Sequence, residues 1–401
     1  MVMAMANHVS DGADDLSLPG DSKSNGESPK EQAVNGSALD SFEAFNTLVK
    51  IDRYGFLGGN QYTNPEDEKR LPQEKLRKRE TKWLDMFVNW DKWMSKKFKK
   101  VRERCRKGIP PSLRAKAWQY LSGSFFIAEQ NKGLFQKYLS DTGNARCIDD
   151  IRKDLDRQFP QHEMFLAKGG VGQEALFEVL KAYSIHRPDE GYCQAQAPIA
   201  ALLLMHMPSE QAFWCLVAIC DKYLMGYYSP GLEAIQLDGD ILFGLLKKTS
   251  PSLHKHMRKQ HIEPIMYMTE WFMCVFTRTL SWTIVLRLWD QFLCEGVKVM
   301  FRVGLVLVRV TLEDHLDQCP SFYETLEKLR MKQMPPELQD ESFLFTESLR
   351  LSVTERDMQR EHQKQVSRRK AAREAAEREK AEKAAGTQGS TVKQSKSKKK
   401  S

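Results

Sequence analysis

The sequence lacks most of the signatures that bind or transform small molecules. It has no G-x-x-x-x-G-K-[ST] phosphate loop: Gly169-Gly170-Val171-Gly172 has no lysine and reads as a loop between helices. His-Glu-x-x-His and Gly-x-Ser-x-Gly are absent, and the nine histidines are mostly scattered, which leaves no metal or hydrolase constellation. The eight cysteines contain no Cys-x-x-Cys pair and read as reduced, mostly buried thiols. The longest nearly apolar run, Ala197 to Met207, falls far short of the roughly 20 residues a membrane span requires. The first residues are polar and acidic, with no basic stretch leading into an apolar one, so no secretory route is expected and the expected location is cytoplasmic. Alternating strand patterns are scarce.

What is present is enough for a large core: 401 residues, 41% hydrophobic, with eight tryptophans. Lys and Arg exceed Asp and Glu by 61 to 53, and the whole excess sits in residues 354–401, with 15 basic and 7 acidic residues. The remaining body is neutral, which argues against a nucleic-acid-binding core. Residues 1–40 read as a disordered polar lead-in, with order beginning near Phe42. Residues 41–107 form a flanking segment, and within it Glu68 to Lys107 carries 16 basic and 6 acidic residues. There Trp83, Phe87, Trp90, Met94, Phe98 and Val101 follow a helical period. This stripe reads either as a helix laid on the main domain or as a membrane-surface or calmodulin-type helix. Residues 108–316 read as one all-α domain, with helix starts at Pro110-Pro111-Ser112, Asp149-Asp150, Ser209 and Ser281. Flanking helices follow over 317–353. In 354–401 a solvated helix from Glu355 to Ala385 gives way to a disordered basic end from Ser390.

Three segments stand out in the central domain. They are Arg114-x-x-x-Trp118, then Ile151-x-x-Asp154-x-x-Arg157 closed by Phe159-Pro160, then Tyr192-x-Gln194. Singly each is weak. In this order and at these separations they resemble the TBC (Tre-2/Bub2/Cdc16) domain, a GTPase-activating module for Rab small GTPases. Trp271-Phe272 and Leu288-Trp289-Asp290 extend the likeness, which covers roughly residues 108–315. The run from Glu190 through Ala195-Gln196-Ala197-Pro198 to Met207-Pro208 is similar to the TBC1 domain family member 10 group, including insect whacked-type proteins. So are Glu263 to Tyr267 and Glu295 to Lys298. Many TBC domains continue Y-x-Q with Gly-Met-Asn, and here Ala195-Gln196-Ala197 follows instead.

The resemblance implies an all-α TBC fold and a division of labour. Arg157 would be an arginine finger and Gln194 a glutamine finger, both supplied in trans to a GTP-bound Rab. GTP hydrolysis builds charge on the transferring phosphoryl group, and an arginine inserted there is worth about 10³–10⁵ in rate. Arginine suits this role because its planar fork donates several hydrogen bonds in fixed directions. Gln194 would orient the attacking water. Asp154, one helical turn before Arg157, would hold the guanidinium, and Tyr192 would fix the Gln194 loop. Arg114, in an ion pair with Asp154, and Trp118, buried beneath it, would be supports, with Ile151 completing the motif. Trp271, Phe272, Trp289 and Asp290 read as core and capping residues without chemistry.

No cofactor of its own is implied, since GTP and Mg²⁺ belong to the partner GTPase. The implied role is control of vesicle traffic. A competing reading is a catalytically inert TBC scaffold that binds a GTPase or adaptor. For the basic tail two readings stand side by side: a weak tether to anionic plasma, endosomal or exocytic membranes, or a merely soluble extension. RNA binding is disfavoured, because no aromatics interleave with the tail's charges.

Overall fold

The computed structural model describes residues 51–63, 71–331 and 334–397. Residues 1–50 and the last four residues, and with them the expected lead-in and the onset of order near Phe42, lie outside it. Among the described residues the fold is all-α. The extended pairing is limited to isolated bridges at Ile51–Leu57 and Phe56–His162.

A basic N-terminal layer comprises α1 (Gln73–Val88), α2 (Trp90–Lys96) and α3 (Phe98–Arg106). The expected single stripe is thus broken at Asn89 and Lys97, whose backbones leave the helical region. Its aromatic face packs on the body: Trp83, Phe87, Trp90, Trp93 and Val101 are buried, and the rings of Phe87 and Trp90 meet Tyr120. Lys97 and Arg104 lie over the Trp93 ring. Only Phe98 and Met94 of the stripe escape full burial. The packing reading of the stripe is the one the structure adopts.

The body runs through α4 (Pro111–Ser122), α5 (Ser124–Gln130), α6 (Leu134–Ser140), α7 (Ala145–Leu155), α8 (Val171–His186), α9 (Gln196–Leu204) and α10 (Ser209–Lys222). It continues through α11 (Glu233–Thr249), α12 (Pro251–Lys259), α13 (Met268–Met273), α14 (Trp282–Glu295) and α15 (Lys298–Leu312). The apolar run that falls short of a membrane span is α9, all nine residues of which are buried between α8 and α10. A helix apolar all round belongs in a core, and α9 sits there. No helix among the described residues is long and apolar enough to cross a membrane. Cys105, Cys215, Cys220, Cys274 and Cys319 are buried and all eight thiols are free.

Two helix starts differ from the sequence expectation. Asp149 and Asp150 fall inside α7, whose true cap is Asn144: its side chain accepts the N–H groups of Arg146 (3.0 Å) and Cys147 (3.2 Å). Ser209 is the first residue of α10, after Pro208. The glycine run is not wholly a loop either. Val171 and Gly172 open α8, and Gly172 is required there because a Cβ would lie 2.0 Å from the Met164 carbonyl oxygen. That contact presses the first turn of α8 onto the loop that follows Arg157.

C-terminal to the body lie α16 (Phe322–Leu329), α17 (Pro336–Gln339), α18 (Glu341–Arg350) and α19 (Glu355–Ser397). α19 runs past both Ala385 and Ser390. Its first turns are docked, not solvated: Arg369 donates to Asp240 (2.6 and 3.0 Å) and Arg373 to Glu233 (2.7 Å) on α11, and Gln365 is buried. Alternation of Arg and Glu on the helix reads as solvation until the matching acids on α11 are known.

Gly172→Ala is expected to destabilise the fold by about 1–3 kcal/mol, the usual cost of overpacking against backbone. Denaturant unfolding of the full chain measures it, and a neutral outcome would mean that the α8–loop contact yields freely.

Candidate functional site

The centre of the site is the end of α7. The helix stops at Leu155, and Arg157 stands in the turn beyond it, its N–H donating to the Asp154 carbonyl (3.2 Å). Its guanidinium pairs with the Asp154 carboxylate. The arginine side chain is 55% exposed and the carboxylate only 6%. A buried acid therefore anchors a cation whose free donors face solvent. Asp154 also accepts the Tyr192 hydroxyl at 2.8 Å, and burial raises the Tyr192 pKa, so the phenol remains a donor. Through this one carboxylate the Arg157 turn and the Gln194 loop are joined, although the two residues lie 37 positions apart in sequence.

Gln194 sits half-buried on the turn that opens α9, and its carbonyl accepts the Ala197 N–H at 3.2 Å. Gln196, wholly buried, accepts the Cys193 N–H on its side-chain oxygen at 3.0 Å, closing the turn around Gln194. The Ala195-Gln196-Ala197 departure thus has a local consequence, since the amide of Gln196 braces the loop. Among the described residues the Gln194 side chain has no hydrogen-bond partner and is free to engage one outside the chain. Ile151, wholly buried, seats α7 on the core beneath Asp154.

Arg114 and Trp118 are placed differently from the sequence expectation. Arg114 does not meet Asp154. It pairs with Asp290 on α14, with Nε to Oδ1 at 3.2 Å and an N–H to Oδ2 at 3.4 Å, and also donates to the Ile109 carbonyl at 3.0 Å. Trp118 donates its indole N–H to the same carboxylate (2.8 Å), and so does the Ile109 backbone N–H (2.7 Å). Burial drives the Asp290 pKa up, and Arg114 with the two N–H donors opposes that rise. From sequence alone Asp290 carries no role beyond core and capping. Its signal was the pairing of an acid with Trp289 on a strongly apolar helix, where an ion must have partners. The Trp118 ring also meets His206 edge-on, whose pKa burial lowers to about 3, so that the imidazole is neutral.

Beyond Arg157 the chain turns sharply. Phe159 adopts φ +44°, a left-handed conformation that costs a non-glycine residue roughly 1–3 kcal/mol and persists only where packing enforces it. Its ring is wedged against Phe56, Tyr62 and Trp282. A surface pocket of about 400 Å³ opens beside Arg157, lined also by Asn60, Gln61, Tyr62 and Arg278. Among the described residues no cluster of three or more His, Cys, Asp or Glu is arranged to hold a metal.

Comparison with known proteins gives the family. The profile of the Rab-GTPase-TBC domain matches residues 111–316. The chain belongs to this family. It is 56% identical over 354 residues to mouse TBC1 domain family member 10B, which covers 88% of this chain and 42% of that protein. It is 58% identical over 321 residues to mouse TBC1 domain family member 10A, covering 80% of this chain and 64% of the relative. The Drosophila TBC1 domain family member whacked is 48% identical over 335 residues, covering 83% of this chain and 92% of the relative. The chain thus spans about two-fifths to two-thirds of the length of the member 10 relatives. The crystal structure of the Chlamydomonas flagellar RabGAP TBC domain matches with a TM-score of 0.56 at 24% identity, covering 74% of this chain and 98% of that one, and shares the TBC fold.

Asp290→Ala should destabilise the TBC domain by about 3–5 kcal/mol, because it leaves the Arg114 guanidinium and the Trp118 N–H buried without an acceptor. Chemical denaturation reads this directly. A loss below about 1 kcal/mol would mean that water replaces the carboxylate.

Proposed function

We propose that this TBC chain accelerates GTP hydrolysis by a GTP-loaded Rab, with Arg157 and Gln194 as fingers supplied in trans. The observation that carries the reading is the shared Asp154 carboxylate, which fixes the Arg157 guanidinium from one side and the Gln194 loop, through Tyr192, from the other. The two groups such a reaction needs are a cation for the developing phosphoryl charge and an amide for the attacking water. Both are presented with unused hydrogen-bonding capacity, and groups positioned in advance are what lower such a barrier. GTP and Mg²⁺ would come with the Rab. Arg114, Trp118 and Ile151 act at a remove, keeping α4 and α7 in place.

The action would regulate vesicle traffic from the cytoplasm. The basic end of the chain would supply a weak tether to anionic membranes where lipid-anchored Rabs reside, each charge adding about 1 kcal/mol near the surface. Docking of α19 on α11 extends as far as Arg373, and the lysines later in the sequence would make this contact.

The decisive measurement is phosphate release from a panel of GTP-loaded Rabs with the purified chain. On a responsive Rab, Arg157→Ala and Arg157→Lys should each remove most of the stimulation, of the order of 10³-fold, and Gln194→Ala nearly as much, while melting stays unchanged. Full stimulation by Arg157→Ala would defeat the mechanism, and a chain that binds GTP-loaded Rab without accelerating any would leave an inert scaffold.

The tether is checked by co-sedimentation with phosphatidylserine vesicles, comparing the full chain with one cut after Ala385. The full chain should bind better at low salt and lose the advantage as salt rises. Equal binding would remove the tether, and hydrolysis in solution should be the same for both.

A further inference from the structure

Residues 51–63 lie well before the matched domain, yet they are built into the loop that follows Arg157. Leu57 donates its N–H to the Gln161 carbonyl (2.9 Å), and the Glu163 N–H returns to the Gly55 carbonyl (2.8 Å). Between these two bonds the His162 imidazole is held at both nitrogens: Nε2 meets the Tyr54 carbonyl at 2.8 Å, and Nδ1 accepts the Met164 N–H at 3.1 Å. That pattern puts the single ring proton on Nε2, and burial favours the neutral ring by lowering the His162 pKa. Asp52 shapes the segment itself, accepting the N–H groups of Tyr54 (2.8 Å) and Phe56 (2.9 Å). Phe56 is wholly buried, edge-on to His162, Phe159 and Trp282. Tyr62 closes the far end, its ring on Phe159 and its carbonyl accepting the Trp282 N–H at 3.4 Å.

We propose that Ile51–Thr63 is a positioning clasp for the arginine finger, fixing the backbone of Phe159–Glu163 so that Arg157 is presented in one orientation. The proposal rests on reading Arg157 as the finger. Among the described residues Arg157 has one fixed point in front, the Asp154 carboxylate, and no other ion pair or hydrogen bond supports its exposed side chain. Behind it, Gln158 is buried and Phe159 is held at a positive φ that the clasp's rings enforce. A finger whose base drifts by an ångström loses rate out of proportion to any loss of affinity, because the geometry matters most in the transition state. The clasp residues themselves touch no reacting atom.

Gly55 is the point at which the clasp can be opened with one methyl group. Its φ of +92° suits glycine, and a Cβ there would lie 2.7 Å from His162 Nε2 and 2.9 Å from Glu163 Oε1. In the full chain, acting on a responsive GTP-loaded Rab, Gly55→Ala should lower kcat by about tenfold or more and leave KM within about twofold, with circular dichroism unchanged. His162→Leu should show the same split. His162→Gln, whose amide can still donate to the Tyr54 carbonyl, should recover most of the rate. The loss should also vanish in an Arg157→Ala background, where there is no finger left to position, so the two substitutions are non-additive. Unchanged kcat in Gly55→Ala and in His162→Leu, or an equal fractional loss with and without Arg157, overturns the clasp while leaving the fingers intact. Full stimulation by Arg157→Ala refutes the finger reading instead, and the clasp with it.

Discussion

The Asp290 carboxylate is the interaction on which the rest of this structure depends. It is fully buried on α14 and receives the guanidinium of Arg114, the indole N–H of Trp118 and the backbone N–H of Ile109. One acid thereby ties the segment entering α4, two successive turns of α4 and the central helix of the domain. A buried charge is costly unless every lone pair is used, and the same fact makes the arrangement specific: shifted packings of α4 on α14 would strand an ion. The motif arginine and tryptophan are thus structural donors to a remote acid.

A second carboxylate repeats the logic at the surface. Asp154 is nearly as buried as Asp290, but one of its two partners is exposed. In the core the acid's partners are all enclosed and the result is rigidity. At the end of α7 one partner is enclosed, the Tyr192 hydroxyl, and the other projects. The difference between the enclosed Arg114 and the projecting Arg157 is thus the solvent on the far side of the guanidinium, not the acid beneath it.

The all-α class and the three-motif order were legible in the sequence because they rest on periodicity and on residue types at short, fixed spacings. Asp154 and Arg157, three apart at one helix end, are a local relation and could be read directly. The partner of Arg114 could not be. Two acids were available in principle, and choosing Asp290 over Asp154 requires the crossing of α4 and α14, which no local pattern encodes. The same holds for α19, where the acids that receive Arg369 and Arg373 lie more than a hundred residues earlier. The breaks at Asn89 and Lys97 went unseen for the opposite reason: helical spacing continues smoothly across them, and only tertiary packing turns the chain there. Segment 51–63 pairs with the loop after Arg157 largely through backbone groups, which leave no pattern in the residue types.

The placement of the thiols has a consequence for handling the protein and for its life in a reducing or oxidising setting. Burial raises the pKa of Cys105, Cys215, Cys220 and Cys274, and also of Cys193 beside Gln194, so these sulfurs are held as thiols rather than the nucleophilic thiolate. At the buried positions Cys105, Cys215, Cys220 and Cys274 the folded chain is shielded from alkylation and from peroxide, and unfolding removes that shield. Reactivity of those four thiols is therefore a built-in gauge of opening, whereas Cys147, Cys193 and Cys294 are only half-buried in the folded chain.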